Sequence, residues 1–305
     1  MIRSLDEVLE KVSNLPKKTI AVAQAADDEI LQVAQATIDR GIANFIFVGD
    51  KLKIEKMILD GKYRLDGVEI IHADTDAACA AKAVELVRNN LADMPMKGLL
   101  ATSTFIKAVL DKENGLRSNR LVTQMTVTDK IDSEGLYFIT DCAMNISPDL
   151  NTKVEILNNA VYVARILGYD VPKVALVTAL ETVNPAMPET LDAAIISKMN
   201  ERGQIKNCIV DGPFALDNAI SVISAEHKGL RSEVAGKADI LLVSDIRMGN
   251  VLHKAITYFA KKRIGSIIMG TTSPLVMTSR SDSIEDKLIS IALSSYLVSQ
   301  DMFSK

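Results

Sequence analysis

The densest group of residues that could do chemistry lies near the end of the chain, in the segment Thr278–Asp286. It reads TSRSDSIED and joins an apolar run to an amphipathic helical pattern. Backbone N–H groups at a helix start, several hydroxyls and a guanidinium that can bind two oxygens at once form a suitable set for phosphate. The segment therefore predicts an anion site with Ser279 and Arg280 among its side chains.

The same residues also have a purely structural interpretation. Ser283 can cap the helix while Asp286, three residues later, bonds back to the backbone of Ser283, and Arg280 is then a solvated surface charge. Short capping patterns of this kind are frequent, so the spacing alone does not decide between the two interpretations. Support has to come from longer stretches of the chain.

Longer stretches resemble a known family. Residues 274–286, PLVMTSRSDSIED, look like the C-terminal signature of the phosphotransacetylase and phosphotransbutyrylase family. Other segments resemble the same family in the same order, cover nearly the whole chain, and are more similar to the butyryl-preferring branch than to the acetyl-specific one. They are TDCAMNISPDL (140–150), ALETVNPAMPETLDA (179–193), VDGPFALDNA (210–219), GLRSEVAGKADILLVSDI (229–246) and GNVLHKA (249–255).

The resemblance implies an activity and a set of reacting groups. The activity is reversible transfer of a butyryl or other short acyl group between coenzyme A and inorganic phosphate, in a ternary complex, with coenzyme A as substrate and no permanently bound cofactor. Ser279 and Arg280 are implied at the reacting phosphoryl or acyl oxygens, and Asp286 as the base for the coenzyme A thiol. Because a thiol with a pKa near ~8.5 is mostly protonated at neutral pH, a carboxylate that accepts its proton lowers the barrier.

A second group of residues is expected to line the substrate site without reacting. Some stand where a strand leads into a helix, whose N–H groups could meet phosphate, and others fall in the matching segments. Helix capping or a strand-to-helix turn explains them almost as well. At 247–248 the chain has Arg-Met where the family more often has Glu-Ala, which puts an acidic role at 247 in doubt. The expected lining residues are Thr102, Ser103, Lys107, Asn145, Asp211, Gly212, Pro213 and Asn250.

The cysteines suggest a rival mechanism, and the histidines bear on whether the chain binds a metal. Cys142 and Cys208 are candidates for a covalent acyl-enzyme, but neither has a histidine beside it in sequence, and a small buried thiol is the better interpretation. Three widely spaced cysteines favour free thiols in a reducing compartment. The histidines are isolated, so no metal site is expected.

The elements that must position these residues follow an α/β pattern. Apolar runs alternate with helical-period segments, which predicts parallel sheets covered by helices. A short polar connection between 121–127 and 136–140 predicts an antiparallel hairpin. The last strand-to-helix turn is expected to return to the first domain. Other predicted elements include strands at 98–103, 207–212 and 274–279 and a helix at 214–227.

The resemblance implies the same architecture at a larger scale. It predicts two α/β domains flanking a cleft, like isocitrate and isopropylmalate dehydrogenases, and assembly of protomers as a homodimer or a higher homo-oligomer. The first domain is predicted to be discontinuous, formed by residues 1–146 and 264–305, and the second to span 147–263. The turn after 279 would then lie at the mouth of the cleft, where α/β proteins commonly bind ligands.

Composition narrows the function classes. The 305 residues are 48% hydrophobic and 24% charged, with a net charge of -4, which is typical of a globular protein and gives no attraction to nucleic acid. No apolar stretch approaches the ~18 residues of a membrane span. A cytoplasmic protein is therefore expected, with acyl-coenzyme A and phosphate as its partners.

Alternative functions stay open at this point. A phosphate acetyltransferase with the same mechanism differs only in the size of the acyl pocket. A non-catalytic acyl-coenzyme A or acyl-phosphate sensor would have the cleft with a damaged reactive set, whereas the predicted reactive residues are all present. A dehydrogenase of the similar fold lacks support, because no GxGxxG fingerprint and no obvious carboxylate cluster for a divalent metal is present.

Overall fold

The chain folds into two compact units. The computed structural model describes residues 1–65, 67–279 and 281–300. We call the unit of Asp6–Arg120 and the chain from Gly265 onward the terminal unit, and the unit of Met1–Leu5 and Leu121–Ile264 the central unit. Each is built on a largely parallel sheet with helices packed against it.

Strands and helices alternate along most of the chain. Within the described residues, no helix combines the length and apolar character needed to cross a bilayer. The strands are β1 (Lys18–Ala23), β2 (Ala43–Gly49), β3 (Glu69–His72), β4 (Met94–Lys97), β5 (Thr123–Asp129), β6 (Leu136–Thr140), β7 (Lys173–Val177), β8 (Ile209–Phe214), β9 (Ile240–Val243) and β10 (Gly265–Met269). The helices are α1 (Leu5–Ser13), α2 (Asp28–Asp39), α3 (Lys51–Asp60), α4 (Asp76–Arg88), α5 (Thr102–Val109), α6 (Leu150–Ile166), α7 (Pro188–Glu201), α8 (Leu216–Ile220), α9 (Val222–His227), α10 (Ile246–Tyr258) and α11 (Ile284–Ser299).

The terminal unit has a parallel sheet with the strand order β3-β2-β1-β4. The last four residues of β1 and all of β4 are buried, as expected for strands with helices over both faces. Helices α2, α3 and α4 connect successive strands, and α11 packs against β10 and α2. The βαβ pattern predicted from the sequence is confirmed for this unit.

The central unit orders its strands β5-β6-β9-β7-β8. β5 and β6 pair antiparallel, which confirms the predicted hairpin, and the other pairs are parallel. One face of the sheet forms a buried core with residues of α8, α9 and α10. The members on β6, β7 and β9 are Ile139, Ala175, Val177, Leu241 and Val243.

Three predicted elements are wrong in detail because tertiary contacts override local pattern. A strand was expected at 98–103, but the strand of this region, β4, already ends at Lys97. The chain then turns, and the Gly98 N–H donates to Ala23 O at 2.9 Å. The helix expected at 214–227 is broken at Ser221, whose backbone is extended. The run 274–279 forms isolated bridges, to β4 and β10, instead of a regular strand.

The division into units differs from the predicted boundary near 146. The hairpin of β5 and β6 lies in the central unit because β6 pairs with β9. Met1–Leu5 lies there too, since Ile2 N–H donates to Leu167 O and Gly135 N–H donates to Arg3 O, both at 2.8 Å. The chain therefore begins in the central unit, builds most of the terminal unit, and returns twice.

Candidate functional site

The predicted anion segment leaves the terminal sheet beside β4. Val276 pairs in parallel with Met96, and Lys97 N–H donates to Val276 O at 2.9 Å. Because these two segments run in the same direction, residues 277–279 and the loop at 98–101 emerge from the same carboxyl edge of the sheet. Open α/β sheets bind their ligands at this edge.

Ser279 is held in a hydrogen-bonded turn. Its backbone N–H donates to Asp282 Oδ2 at 2.8 Å, and its hydroxyl lies 2.9 Å from that of Ser281. Asp282 is buried, whereas Ser279 is half-buried and Ser281 exposed. The buried carboxylate thus fixes a turn whose hydroxyls can reach a ligand. Arg280 lies outside the described residues, and its role remains a prediction.

Asp286 is held by a capping box. Ser283 Oγ accepts the Asp286 N–H at 3.1 Å, while the Ser283 N–H and hydroxyl donate to Asp286 Oδ2 at 3.2 and 2.6 Å. The structural interpretation of this spacing is therefore confirmed. It does not compete with a chemical role, because the box fixes the orientation of a carboxylate that is only 5% exposed.

The neighbours of Asp286 in sequence tie the start of α11 to α2. Lys287 is buried, and its Nζ lies 2.5 Å from Glu29 in the first turn of α2. Glu285 pairs with Arg40, the C-cap of α2, at 3.3 Å. These two ion pairs fasten the start of the helix that carries Asp286 to α2.

Thr102, Ser103 and Lys107 lie on α5, which begins at the same sheet edge. The N-cap is Ala101, which makes no side-chain cap bond, so the interpretation of Thr102 or Ser103 as a simple N-cap is wrong. Both are exposed at the first two helical positions, and Lys107 is exposed one turn later. An uncapped helix start with two exposed hydroxyls suits an anion.

Lys97 is a residue of this region that sequence reasoning missed. It is only 7% exposed, and its Nζ donates to Gly98 O and Leu100 O, each at 3.2 Å. A Cβ at position 98 would lie 2.2 Å from Gln24 O, so only glycine allows this close approach. Lysine at the end of an apolar run was the available signal. Lys97 shapes the loop that leads into α5.

Asn145 lies in a turn of the central unit that is built around Asp141. The Asn145 amide nitrogen donates to Asp141 Oδ2 at 2.6 Å and to Val122 O at 3.0 Å. Asp141 Oδ1 accepts the N–H groups of Ala143 and Met144 at 2.9 and 3.0 Å. Burial raises the pKa of the Asp141 carboxyl above its ordinary value, although these bonds favour the charged form.

Asn250 is brought next to this turn by Gly249. A Cβ on residue 249 would lie 2.3 Å from Asp141 O and 2.9 Å from Cys142 Cα, so α10 packs directly on the backbone of the turn. Asn250 follows on the exposed side of α10. Sequence reasoning missed Asp141 and Gly249, although aspartate at the head of a short loop is a known turn signal.

Asp211, Gly212 and Pro213 were expected to end a strand, and this expectation is wrong. They lie inside β8, which continues to Phe214 after a shift in its pairing with β7. Asp211 Oδ1 accepts the Gly212 N–H at 2.8 Å, and Pro213 is buried. β8 is three strand positions from β6, about 14 Å at ~4.8 Å per strand, so the structure does not bring these residues to the turn after β6.

Arg247 is neutralised by its neighbour. Its Nε and one terminal nitrogen donate to Asp245 Oδ2 at 3.0 and 2.6 Å. The other oxygen of Asp245 accepts the Met248 N–H and caps α10. The basic residue at 247 is therefore part of a surface ion pair at the start of the helix.

The cysteines are unsuited to covalent catalysis. Burial raises the pKa of Cys142 to about 12 and that of Cys208 to about 11. Their thiols lie within hydrogen-bonding distance of the backbone oxygens of Ile139 and Lys206. Over the part of the chain that the structure describes, no three His, Cys, Asp or Glu side chains group so as to hold a metal ion.

Comparison with known proteins places these features in a family. A family model described as "Phosphate acetyl/butaryl transferase" matches residues 4–82 and 78–295. Phosphate butyryltransferase of Clostridium beijerinckii is 44% identical over 301 residues, 99% of this chain and all of the relative. Phosphate butyryltransferase of Clostridium acetobutylicum is 46% identical over 293 residues, 96% of this chain and 97% of the relative.

Solved structures agree with the sequence comparison. A branched-chain phosphotransacylase from Enterococcus faecalis superimposes with a TM-score of 0.81 at 33% identity, over 92% of this chain and 99% of that one. A 4-hydroxythreonine-4-phosphate dehydrogenase from Salmonella typhimurium shares the fold alone, with a TM-score of 0.58 at 12% identity, over 93% of this chain and 100% of that one. The predicted dehydrogenase-like α/β fold is thus confirmed. The chain belongs to the phosphate acetyl/butyryl transferase family.

Proposed function

We propose that this chain catalyses reversible transfer of a butyryl group between coenzyme A and inorganic phosphate. Family membership and the butyryltransferase relatives support acyl transfer as the reaction. The observation that carries the mechanism is the buried Asp286 carboxylate at the carboxyl edge of the terminal sheet, which accepts two hydrogen bonds from Ser283. A carboxylate fixed in this way is suited to act as a base at one defined point.

The proposed reaction is a direct displacement. The coenzyme A sulfur attacks the acyl carbon of butyryl phosphate as Asp286 takes the thiol proton, the carbon–sulfur bond forms, and phosphate leaves with the electrons of its bond to carbon. Ser279 donates a hydrogen bond to the oxygen that becomes negative in the tetrahedral transition state, and Arg280 neutralises the phosphate. In reverse, a phosphate oxygen attacks the thioester.

The lining residues have different tasks in this proposal. Thr102, Ser103 and Lys107 bind phosphate or the coenzyme A phosphates at the uncapped start of α5. Asn145 and Asn250 bind the organic part of the substrate. Asp211 and its neighbours are less well supported, because they lie inside β8 and Pro213 is buried.

The test is release of coenzyme A thiol from acetyl-, butyryl- and isobutyryl-coenzyme A, with and without phosphate. We expect phosphate-dependent release that is fastest with a four-carbon substrate and falls at least 100-fold in Asp286→Asn, the range of general-base catalysis. The exposed Asp132→Asn is the matched control and should keep full activity. If the folded wild type consumes no acyl-coenzyme A, the chain is not an acyltransferase and a sensor role becomes the better explanation.

The same experiment separates the butyryl from the acetyl enzyme. Two extra CH₂ groups buried in an acyl pocket are worth about 1.6 kcal/mol, or roughly 15-fold in kcat/KM. A preference of this size for butyryl-coenzyme A supports the butyryl assignment. Faster reaction of acetyl-coenzyme A would make the chain a phosphate acetyltransferase.

We also propose that the chain works in the cytoplasm as a homodimer. Three buried free cysteines suit a reducing compartment, and the family resemblance implies the dimer. Light scattering should then give a mass of twice 33.2 kDa, and a mass of one chain would contradict the dimer.

A further inference from the structure

The amide of Asn145 can face only one way. Its nitrogen lies 2.6 Å from Asp141 Oδ2 and 3.0 Å from Val122 O. A backbone carbonyl can accept a hydrogen bond but never donate one, and an ionised carboxylate has the same property. Rotating the amide by 180° would place its oxygen against two acceptors. The hydrogen-bond network therefore fixes which atom of the amide is nitrogen, the assignment that is usually ambiguous.

Both hydrogens of the Asn145 nitrogen are consumed by these two bonds. Val122 O holds the orientation even when Asp141 is protonated, which matters because burial raises the pKa of that carboxyl. Among the described residues, the Asn145 carbonyl oxygen has no hydrogen-bond partner, and the side chain is half-buried. Towards a ligand, Asn145 can thus act only as an acceptor.

We propose that Asn145 Oδ1 accepts a hydrogen bond from an amide N–H of the pantetheine arm of coenzyme A, and that Asp141 is the positioning residue that presents this oxygen. The inference rests on the proposed function and assigns Asn145 to one of its two substrates. Phosphate offers mainly acceptor oxygens to the protein, and a carbonyl oxygen directed at it would be unfavourable. The polar atom of the acyl group is its carbonyl oxygen, which is also an acceptor. The pantetheine arm, in contrast, carries two amide N–H donors.

The first test compares Asn145→Leu with wild type in steady-state kinetics and in calorimetric binding of coenzyme A alone. Leucine has a similar volume and no polar atom. We expect KM for butyryl-coenzyme A and Kd for coenzyme A to rise about five- to tenfold, the range of one net hydrogen bond, with KM for phosphate within twofold of wild type. The exposed Asn158→Leu on α6 is the matched control and should change neither.

A shortened substrate locates the donor. With butyryl-pantetheine, which lacks the nucleotide, Asn145→Leu should lose the same five- to tenfold factor. Loss of the effect on this substrate would place the donor in the nucleotide and overturn the pantetheine assignment. A raised KM for phosphate with unchanged coenzyme A binding would overturn the assignment to coenzyme A, and no change in any constant would make Asn145 structural.

A double-mutant cycle tests the positioning role of Asp141. Asp141→Asn should raise Kd for coenzyme A in the wild-type background but leave it unchanged in the Asn145→Leu background, because the oxygen it presents is already absent. Additive effects would mean that Asp141 acts through general stability. Coenzyme A binding does not require turnover, so an inactive wild type that still binds coenzyme A would contradict the proposed function while leaving this inference intact.

Discussion

At the scale of single residues, the capping box that orients Asp286 gives one side chain two tasks. Ser283 both starts α11 and bonds to the carboxylate oxygen Oδ2. In most helices the cap contributes only to stability. Here a change at Ser283 should affect stability and turnover together, because the same hydroxyl serves the helix and the proposed base.

We therefore expect Ser283→Ala to lower the free energy of unfolding by about 1 kcal/mol, the usual cost of a lost N-cap, and kcat by about five- to tenfold. Ser283→Thr keeps the hydroxyl and should retain most of both. Urea unfolding and thiol-release kinetics on the two variants provide the measurement. Wild-type kcat in Ser283→Ala, with the expected loss of stability, would show that the cap does not orient the base.

At the scale of elements, the start of α11 depends on two ion pairs of unequal burial. The Lys287 side chain is 3% exposed against Glu29, whereas Arg40 and Glu285 are 48% and 33% exposed. Removing one partner of a buried pair leaves an uncompensated charge, while exposed pairs contribute little.

Glu29→Gln should thus cost about 2 kcal/mol of unfolding free energy, less than a fully buried pair because Glu29 itself is 40% exposed. Arg40→Gln, at the other end of α2, should cost no more than about 1 kcal/mol. Denaturant unfolding of the two variants compares them directly. Equal losses would mean that burial of Lys287 does not set the strength of the contact.

A second prediction at this scale concerns Gly249 and opposes helix propensity. Alanine normally stabilises a helix interior by up to about 1 kcal/mol over glycine. A Cβ at 249 would lie 2.3 Å from Asp141 O, so the helix or the turn must move. We expect Gly249→Ala to lower stability by about 1–3 kcal/mol, as overpacking does, and to weaken coenzyme A binding.

The control for this prediction is Asn250→Ala, one residue further along the exposed side of α10. It should leave stability unchanged or slightly higher, because nothing there opposes the better helix former. Thermal unfolding of both variants decides the matter. A stabilised Gly249→Ala protein would show that α10 can shift away from the turn without loss.

Elements also show where prediction from sequence succeeds. The start of α11 was predicted to the residue because capping is local, and the β5–β6 hairpin because its connection is short and polar. The strand at 98–103 was misplaced because a bond between Gly98 and Ala23, distant in sequence, ends it. Sequence reasoning could not predict the ion pair between Lys287 and Glu29 or the hydrogen bond from Asn145 to the Asp141 carboxylate. No local pattern reports on burial or on partners that are distant in sequence.

At the scale of the whole molecule, burial protects all three cysteines from ionisation and hence from reaction. All three are free and buried, and burial raises the pKa of each thiol. At pH 8, a thiol with a pKa of about 12 is ionised in only about one molecule in 10⁴.

Treatment of the native protein with a disulfide reagent at pH 8 should therefore leave activity intact, with little thiol released over an hour. Unfolding in guanidinium should then expose three reactive thiols per chain. Release can be followed by absorbance and activity by thiol-independent product analysis. Rapid loss of activity with one thiol modified would revive the acyl-enzyme mechanism at that cysteine.

The path of the chain between the two units has a consequence for the timing of folding during synthesis. The residues that carry Ser279 and Asp286 join β4 only after residues 121–264 have been made, and Met1–Leu5 must wait for the same stretch. Closing such long loops costs entropy and slows folding. A growing chain therefore remains without the turn proposed to react until residues 121–264 have been made, so the proposed acyl transfer cannot begin before that stretch has left the ribosome.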